Sequence, residues 1–191
     1  PSVSSKRMAR FFPATLVTVY ACLLAFRRVS SEAKHQLKHD TVDTFKALAN
    51  FPYAIALYDI DGDGDLDCLT ATRAEFNRDP PSATFILSLK DLKGHTVVNY
   101  TYNILPGIAP DRNVVVVNND YDHPLIDHYI YSNNENCIVM EFPMNNQQEC
   151  VLWVTREVVD NPPQICLDQF QDNCDDGVLA YDKDSCAEFL Q

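Results

Sequence analysis

Glycine, tryptophan and positive charge are scarce in this sequence. Its 191 residues include 5 Gly and 1 Trp, and 15 Lys and Arg stand against 27 Asp and Glu. So few glycines argue against a chain dominated by loops. The net charge of −12 disfavours nucleic acids and anionic membrane surfaces as partners, because the long-range field repels phosphate groups.

The motifs of common enzyme and metal sites are also missing. The sequence contains no Gly-x-Ser-x-Gly elbow and no Cys-x-x-Cys pair, and its 5 His are scattered. These absences disfavour a serine hydrolase and a structural zinc site. We therefore predict a protein that is not an enzyme and has no cofactor.

The longest hydrophobic run lies near the N-terminus. Residues 11–26 are FFPATLVTVYACLLAF, a basic stretch surrounds Met8 before them, and VSSEA (29–33) follows with a small-residue cleavage pattern. The run is shorter than the about 20 residues of a membrane span. We predict that residues 1–33 comprise upstream residues and a secretory signal peptide. Residues 34–191 would then form one secreted domain without membrane contact.

Secretion changes what the cysteines mean. Six remain after the predicted leader, and an even number in an oxidising compartment predicts three disulfides. The sequence by itself leaves their pairing open. Asn99, in NYT, is a glycosylation sequon that should face solvent. The six cysteines are Cys68, Cys137, Cys150, Cys166, Cys174 and Cys186.

Most of the predicted mature region has the pattern of short strands. Segments such as ATFILSLK (83–90) alternate apolar and polar residues, and turns rich in Asn, Asp, Gly and Pro separate them. Eight such segments predict an all-β protein, either an antiparallel barrel with room for one small ligand or a sandwich. Short helices are predicted at 41–49 and 162–174. The segments are 53–58, 68–76, 83–90, 96–104, 113–118, 126–132, 137–142 and 150–156.

The stretch DIDGDGDLDCLT (59–70) has three interpretations. An EF-hand would need a Glu at its last position, where Thr70 stands, although a shorter calcium loop could use Asp59, Asp61, Asp63 and Asp67. A phosphatase motif would need a parallel sheet. We favour an acidic turn, because Asp and Gly are turn residues, and keep weak calcium binding as the alternative.

The C-terminal part resembles a known family. NCIVMEFPMNNQQECVLWVTREVVDNPPQICLDQFQDNC, followed by SCAEFL, is similar to the C-terminal half of the tick salivary lipocalins, the histamine-binding family. TFKALA and CLTATRAEF also fit that family, so the resemblance covers roughly residues 41–191. It implies an eight-stranded antiparallel lipocalin-like barrel with a short N-terminal helix and a C-terminal helix packed outside. It further implies the disulfides Cys68–Cys186, Cys137–Cys166 and Cys150–Cys174.

The resemblance also implies a secreted, monomeric protein that sequesters small host inflammatory mediators as a means of host immune evasion. In the family's amine-binding pattern, acids stand where this chain has Ile138 and Val151. Because a buried ammonium needs a counter-charge, we expect an apolar lipid mediator, a leukotriene or fatty acid, as the ligand. The predicted ligand-binding residues are Tyr58, Val115, Val117, Asp127, Tyr129, Ile138, Val151 and Trp153.

Two alternatives stay open at this point. The barrel could bind histamine or serotonin through Asp127 and Tyr58, provided that the strand register turns Asp127 inward. Alternatively, an empty barrel could serve as a protein-binding or inhibitory lipocalin, with PGIAPDR (106–112) as the candidate exposed loop.

Overall fold

Strands account for most of the described chain, as the alternation in the sequence predicts. The computed structural model describes residues 37–60, 63–90, 96–144, 147–174 and 176–187. The helices are α1 (Thr44–Leu48), α2 (Gln164–Cys174) and α3 (Lys183–Cys186), with a 3-10 turn at Arg156–Val158. The strands are β1 (Tyr53–Asp59), β2 (Thr70–Arg78), β3 (Pro81–Lys90), β4 (Val97–Ala109), β5 (Arg112–Val117), β6 (Leu125–Ser132), β7 (Cys137–Met144), β8 (Gln147–Val154) and β9 (Val178–Leu179).

The first eight strands form a closed antiparallel barrel. Each strand from β2 to β7 pairs with the strand that follows it in sequence, β8 pairs with β1, and β1 pairs with β2. The closing pair joins Tyr53 to Thr72 and Ile55 to Thr70. The short strand β9 adds to the far end of β1. The prediction of an eight-stranded antiparallel barrel, with helices before and after it, is confirmed.

Alternation along the strands divides the apolar residues into two clusters. On β3, for example, Phe85 and Leu87 point into the bore, and the intervening residues point outward. We call the apolar set inside the bore the interior cluster, which also contains Leu48 and Phe51 from the segment around α1. The set on the outside of β1, β7 and β8 is the outer cluster, which α2 covers with Cys166, Phe170 and Cys174.

Three disulfides hold the C-terminal segment on that outer cluster. Two of them fasten α2, joining Cys137 of β7 to Cys166 and Cys150 of β8 to Cys174. The third joins Cys68, just before β2, to Cys186 of α3. The predicted pairings are therefore confirmed. Each disulfide contributes about 2–4 kcal/mol to stability on the usual chain-entropy estimate.

Helix α1 lies against one end of the barrel. Asp43 caps it by accepting a hydrogen bond from the Lys46 backbone N–H at 3.0 Å. At the other end of α1, Arg73 of β2 donates to the Leu48 carbonyl at 2.7 Å. The backbone N–H of Thr44 donates to the carbonyl of Pro110, in the β4–β5 turn, at 3.1 Å. These contacts fix α1 as the floor of the bore.

Several strand boundaries differ from the predicted ones. The second strand starts at Thr70 and not at Cys68, whose backbone φ is +58°. The candidate exposed loop PGIAPDR (106–112) is largely strand, because β4 continues to Ala109 and contains an irregularity between Leu105 and Ala109. Glycine is required there, since a Cβ on Gly107 would collide with the Arg112 carbonyl oxygen.

The predicted signal peptide, residues 1–33, lies outside the described residues. The described part of the chain belongs to one compact unit, His35–Gln191. Within that part, none of the helices has both the length and the apolarity needed to cross a membrane.

Candidate ligand-binding site

A small apolar cavity lies inside the barrel beside α1. Its volume is about 50 Å³. Pockets for drug-sized ligands commonly have volumes of about 300–1,000 Å³, so side chains fill most of this bore. The lining residues are Leu48, Phe51, Ala54, Ala71, Phe85, Leu87, Tyr102, Ile104, Tyr129, Ile138, Met140, Phe142 and Trp153.

Asp127 is a buried carboxylate on the inner face of β6. The residues two positions before and after it, Leu125 and Tyr129, both pack with the interior cluster, and side chains on a strand alternate between faces. Asp127 is 0% exposed. Its Oδ1 accepts a hydrogen bond from the Asn113 backbone N–H at 3.3 Å. Its Oδ2 has no hydrogen-bond partner among the described residues.

Burial changes the protonation behaviour of this carboxyl group. It raises the pKa of Asp127 from 3.8 to about 7, and hydrogen bonds from Asn113 offset only part of the rise. The cause is desolvation, which disfavours the charged form of a carboxylate. At neutral pH the group is therefore close to half-ionised, and a cation beside Oδ2 would favour the ionised form.

Three further polar groups accompany Asp127 in the bore. Tyr102, Tyr129 and Trp153 are buried. Burial, aided by the charge of Asp127, raises the pKa of both phenols well above their ordinary value of 10.0, so they are neutral at physiological pH. The Tyr102 hydroxyl and the Trp153 Nε1 have no hydrogen-bond partner among the described residues. Tyr102, Tyr129 and Trp153 line the cavity, whereas Asp127 lies in the surrounding wall and is not one of the lining residues. The cavity thus presents a hydroxyl and an N–H donor among apolar side chains, with a buried carboxyl group in the wall around it.

Phe142 of β7 lies between two of these aromatic side chains. Its ring centroid is 6.3 Å from that of Tyr102, in an edge-to-face arrangement at 89°, and 6.3 Å from that of Trp153. Pairs of aromatic rings at such distances attract one another. The faces of such rings also attract a cation, so this group suits a ligand that has both a ring and a positive charge.

A buried hydrogen-bond chain joins Asp127 to the floor of the bore. Asn113 of β5, which donates its backbone N–H to Asp127, also donates its side-chain Nδ2 to the Thr44 hydroxyl at 2.7 Å. Asn113 is 1% exposed and Thr44 is 0% exposed. Because both groups are shielded from water, neither can exchange its partner for solvent. Asn113 therefore fixes α1 and the carboxylate relative to one another.

The Asn113 side chain can be tested by replacement with Ala. We expect Asn113→Ala to lower the free energy of unfolding by about 1–3 kcal/mol, because the buried Thr44 hydroxyl loses its donor. Guanidinium denaturation with intact disulfides measures this change. As a control, Asn77→Ala removes a hydrogen bond between exposed side chains and should change the free energy by less than about 0.5 kcal/mol. Equal losses for the two variants would contradict the structural role of Asn113.

Most of the residues predicted to line the bore point into it. Ile138, Val151 and Trp153 belong to the interior cluster, as do Val115 and Tyr129, and Val117 packs against it. Ile138 and Val151 are 3% and 0% exposed. Aliphatic side chains therefore occupy the inner wall at the two positions where the resemblance implied acids.

Tyr58 is the exception, and its predicted place in the bore is corrected. Its ring packs with the outer cluster, with its centroid 5.9 Å from the Phe170 ring of α2. Directly opposite on β8 is Leu152, which also faces outward. Tyr58 thus lies on the helix-covered outer wall, away from Asp127.

Glu149 of β8 was not predicted as a site residue. It is 1% exposed and lies directly opposite Phe142. Because Val151 and Trp153 on the same strand point inward, alternation places Glu149 on the inner face as well. Counting back two residues at a time from Trp153 would have found it. The wall thus holds a second buried carboxyl group.

The acidic segment after β1 has the contacts of a turn. Asp59 accepts a hydrogen bond from the Ile60 backbone N–H at 2.7 Å, and Asp63 accepts one from the Asp65 backbone N–H at 2.9 Å. Gly64 has a φ of +81°. Asp61 lies outside the described residues. Over the ranges that the structure describes, no three acidic, His or Cys side chains are grouped to hold a metal, and calcium binding stays an untested prediction.

An antiparallel barrel of this form, with an apolar bore and a buried carboxyl group, defines a lipocalin-type ligand-binding barrel. Residues 31–188 match the family model described as tick histamine binding protein. Since that match spans most of the sequence, the chain belongs to the tick histamine-binding protein family.

The solved structures that this chain resembles are distant from it in sequence. AM182, in a complex with serotonin, has a TM-score of 0.58 and 14% identity, covering 79% of this chain and 97% of its own. Lobster apocrustacyanin A1 has a TM-score of 0.52 and 8% identity, covering 86% and 98%. Japanin from Rhipicephalus appendiculatus, bound to cholesterol, has a TM-score of 0.49 and 13% identity, covering 68% and 91%. A comparison with curated proteins gives no significant match.

Proposed function

We propose that this protein is a secreted carrier that binds a small aromatic amine inside its barrel, with Asp127 as the counter-ion. Sequestration of such a host mediator would dampen inflammation, the role that family membership suggests. The observation that carries the proposal is the fully buried, inward-facing Asp127, whose Oδ2 has no hydrogen-bond partner among the described residues.

An ammonium group supplies what this carboxylate lacks. A charge buried without a partner destabilises a protein by several kcal/mol, whereas an ion pair with good geometry and hydrogen bonds offsets much of that loss. An ammonium at Oδ2 would pair with Asp127 and shift it to the ionised form. The nearby phenols cannot provide that cation, because a phenol is either neutral or anionic, and burial keeps these two neutral.

The size and chemistry of the bore favour an aromatic body on the ligand. The cavity of about 50 Å³ is smaller than either candidate ligand, so side chains must move to admit one and to let an ammonium reach Asp127, and a small flat ring requires less movement than a long chain. Phe142, Tyr102 and Trp153 can pack against such a ring. The serotonin complex of AM182 supports this class of ligand, because serotonin combines an amine with an aromatic body.

Secretion is supported by the disulfides. Three of them staple a small domain, and such frameworks form and persist in oxidising compartments such as the extracellular space. The proposed role involves reversible binding and no catalytic step.

The first test of ligand choice is a competition. The purified protein is mixed with an equimolar pool of serotonin, histamine, a leukotriene and arachidonate, and retained ligands are identified by native mass spectrometry. We expect an amine to be retained by the wild type and lost in Asp127→Asn. The matched control is Glu141→Gln, a half-exposed carboxylate beside His128 on the outer wall, which should retain the amine. Retention by Asp127→Asn would contradict the proposal.

An apolar lipid mediator is the second candidate. It is favoured by the aliphatic side chains of Ile138 and Val151 on the inner wall, where family amine binders carry acids. Selective retention of arachidonate or the leukotriene would support it and overturn the amine proposal. If nothing is retained, binding of protein partners becomes the better hypothesis, and Ile108 in the β4 irregularity, 90% exposed, is where to look first.

The amine proposal also predicts how affinity depends on pH. Since the pKa of Asp127 is about 7 in the free protein, the carboxyl is increasingly protonated below that pH and cannot pair with an ammonium. We therefore expect the affinity for serotonin to fall about tenfold for each pH unit below 7 and to level off above it. Isothermal titration calorimetry from pH 5 to pH 8.5 measures the profile, and an affinity that does not change with pH would contradict the role of Asp127.

A further inference from the structure

On the outer wall of the barrel, the middle of β3 and β4 carries no charged side chain, although Lys90 lies directly opposite Val97 at one end. On β3 and β4 the inward residues, such as Phe85, Leu87 and Tyr102, belong to the interior cluster. The residues between them therefore point outward. Every outward residue from Thr84 to Ser88 on β3 and from Val97 to Leu105 on β4 is uncharged. We call these outward positions of β3 and β4 the uncharged face.

This face is unusual for a chain with a net charge of −12. The outer cluster on the other side of the barrel is covered by α2, but the uncharged face meets solvent, with Val97 47% exposed and Leu105 36% exposed. Ile126 of the nearby strand β6 is 48% exposed. Uncharged, partly apolar sheet faces tend to associate with other surfaces unless something covers or charges them.

Asn99 lies within the uncharged face. It is directly opposite Ser88, whose hydroxyl donates to the Asn99 Oδ1 at 2.6 Å. That contact does not involve Nδ2, the nitrogen on which a glycan is attached. Asn99 is exposed, and Thr101, the third residue of the sequon, is the next outward residue on the same strand.

We propose that an N-linked glycan on Asn99 covers the uncharged face and keeps the protein monomeric. The transfer forms a bond from Nδ2 to the anomeric carbon of a lipid-linked oligosaccharide. It breaks that carbon's bond to the lipid diphosphate, which leaves, and it releases one amide proton. The sugar then lies over the outward side chains of β3 and β4. This inference depends on the secretion part of the proposed function and not on the ligand.

The modification is tested on the full chain expressed in insect cells. Peptide-N-glycosidase should lower the mass of the wild type by one glycan. It should do the same for Thr101→Ser, which keeps the sequon, and should not change the mass of Thr101→Ala, which destroys it. Unglycosylated protein in the culture medium would overturn the proposal of a glycan on Asn99 and would leave secretion supported. Unglycosylated protein confined to the cytosol would overturn secretion as well.

The covering role is tested by analytical ultracentrifugation over a hundredfold range of concentration. We expect the glycosylated wild type to remain a monomer and the weight-average mass of Thr101→Ala to rise toward twice the monomer mass. Adding Leu105→Lys to Thr101→Ala should restore the monomer by placing a charge on the uncharged face. If Thr101→Ala misfolds, wild type deglycosylated after folding replaces it. Unglycosylated protein that stays monomeric throughout would overturn the covering role.

Discussion

Replacement of Asp127 by Asn should stabilise the ligand-free protein at pH 8, although it removes a polar group from the candidate site. The native pKa of Asp127, about 7, lies above its ordinary value of 3.8. Between these two values the native state keeps a proton that the unfolded state releases, so the free energy of unfolding falls as the pH rises. Above about pH 7 the loss is complete, and it amounts to about 4 kcal/mol.

Asn does not titrate, so the free energy of unfolding of the variant does not fall with pH in this way. We expect the stability difference between Asp127→Asn and wild type to move by about 4 kcal/mol in favour of the variant between pH 4 and pH 8. Guanidinium denaturation at several pH values measures it. Glu141→Gln, on the half-exposed outer side of β7, is the control and should differ from wild type by about 1 kcal/mol or less. A stability difference that stays constant with pH would show that Asp127 is not buried as described.

The same substitution should weaken amine binding strongly. An ammonium in the bore would lose its counter-charge, and removing one partner of a buried ion pair typically costs about 3–5 kcal/mol, or roughly a hundredfold to several thousandfold in affinity. A variant that is more stable and binds less would show that the carboxylate is kept for ligand binding at the expense of stability.

Replacement of Phe142 by Ala should open the bore to longer ligands. The ring is 1% exposed and lies between Tyr102 and Trp153. Its loss should lower the free energy of unfolding by about 3–5 kcal/mol and enlarge the cavity of about 50 Å³. We expect Phe142→Ala to retain arachidonate under conditions in which the wild type does not, as measured by native mass spectrometry.

The matched control for this effect is Leu152→Ala. Leu152 is 0% exposed but belongs to the outer cluster, so its truncation should lower stability by about 2–5 kcal/mol without enlarging the bore. Arachidonate bound by wild type and Phe142→Ala alike would show that side-chain filling does not select the ligand. Arachidonate bound by both variants and not by wild type would indicate that a general loss of stability, without a larger bore, is enough to admit the lipid.

The barrel and its disulfides were predictable because two signals agreed. Period-two alternation gave the strands, and the spacing of Cys137, Cys150 and Cys166 carried the resemblance from which the pairing followed. The orientation of Asp127 was not predictable. A shift of one residue in the strand register would have turned it outward, and only the observed pairing with β5, where Asn113 lies directly opposite, places it inside.

Tyr58 shows why alternation fails locally. Ala54 and Ala56 point inward, so strict alternation would place Tyr58 inward as well. The pairing of β1 with β8 shifts register between Ala56 and Tyr58, and an irregularity of this kind turns the following side chain to the opposite face. Such shifts leave little trace in a single sequence, and for this reason the predicted partner of Asp127 was misplaced.

Fastening of α2 to β7 and β8 divides the barrel into two mechanically different halves. The two disulfides of α2 and the third disulfide, Cys68–Cys186, all lie on the side of the barrel formed by β1, β2, β7 and β8. None of the three joins a residue of β3, β4, β5 or β6. A ligand larger than the cavity must spread the strands to enter, and the cross-linked wall resists that motion. We therefore expect the wall formed by β3 to β6 to act as the compliant side, where amide protons exchange faster and through which the bore adapts to its ligand.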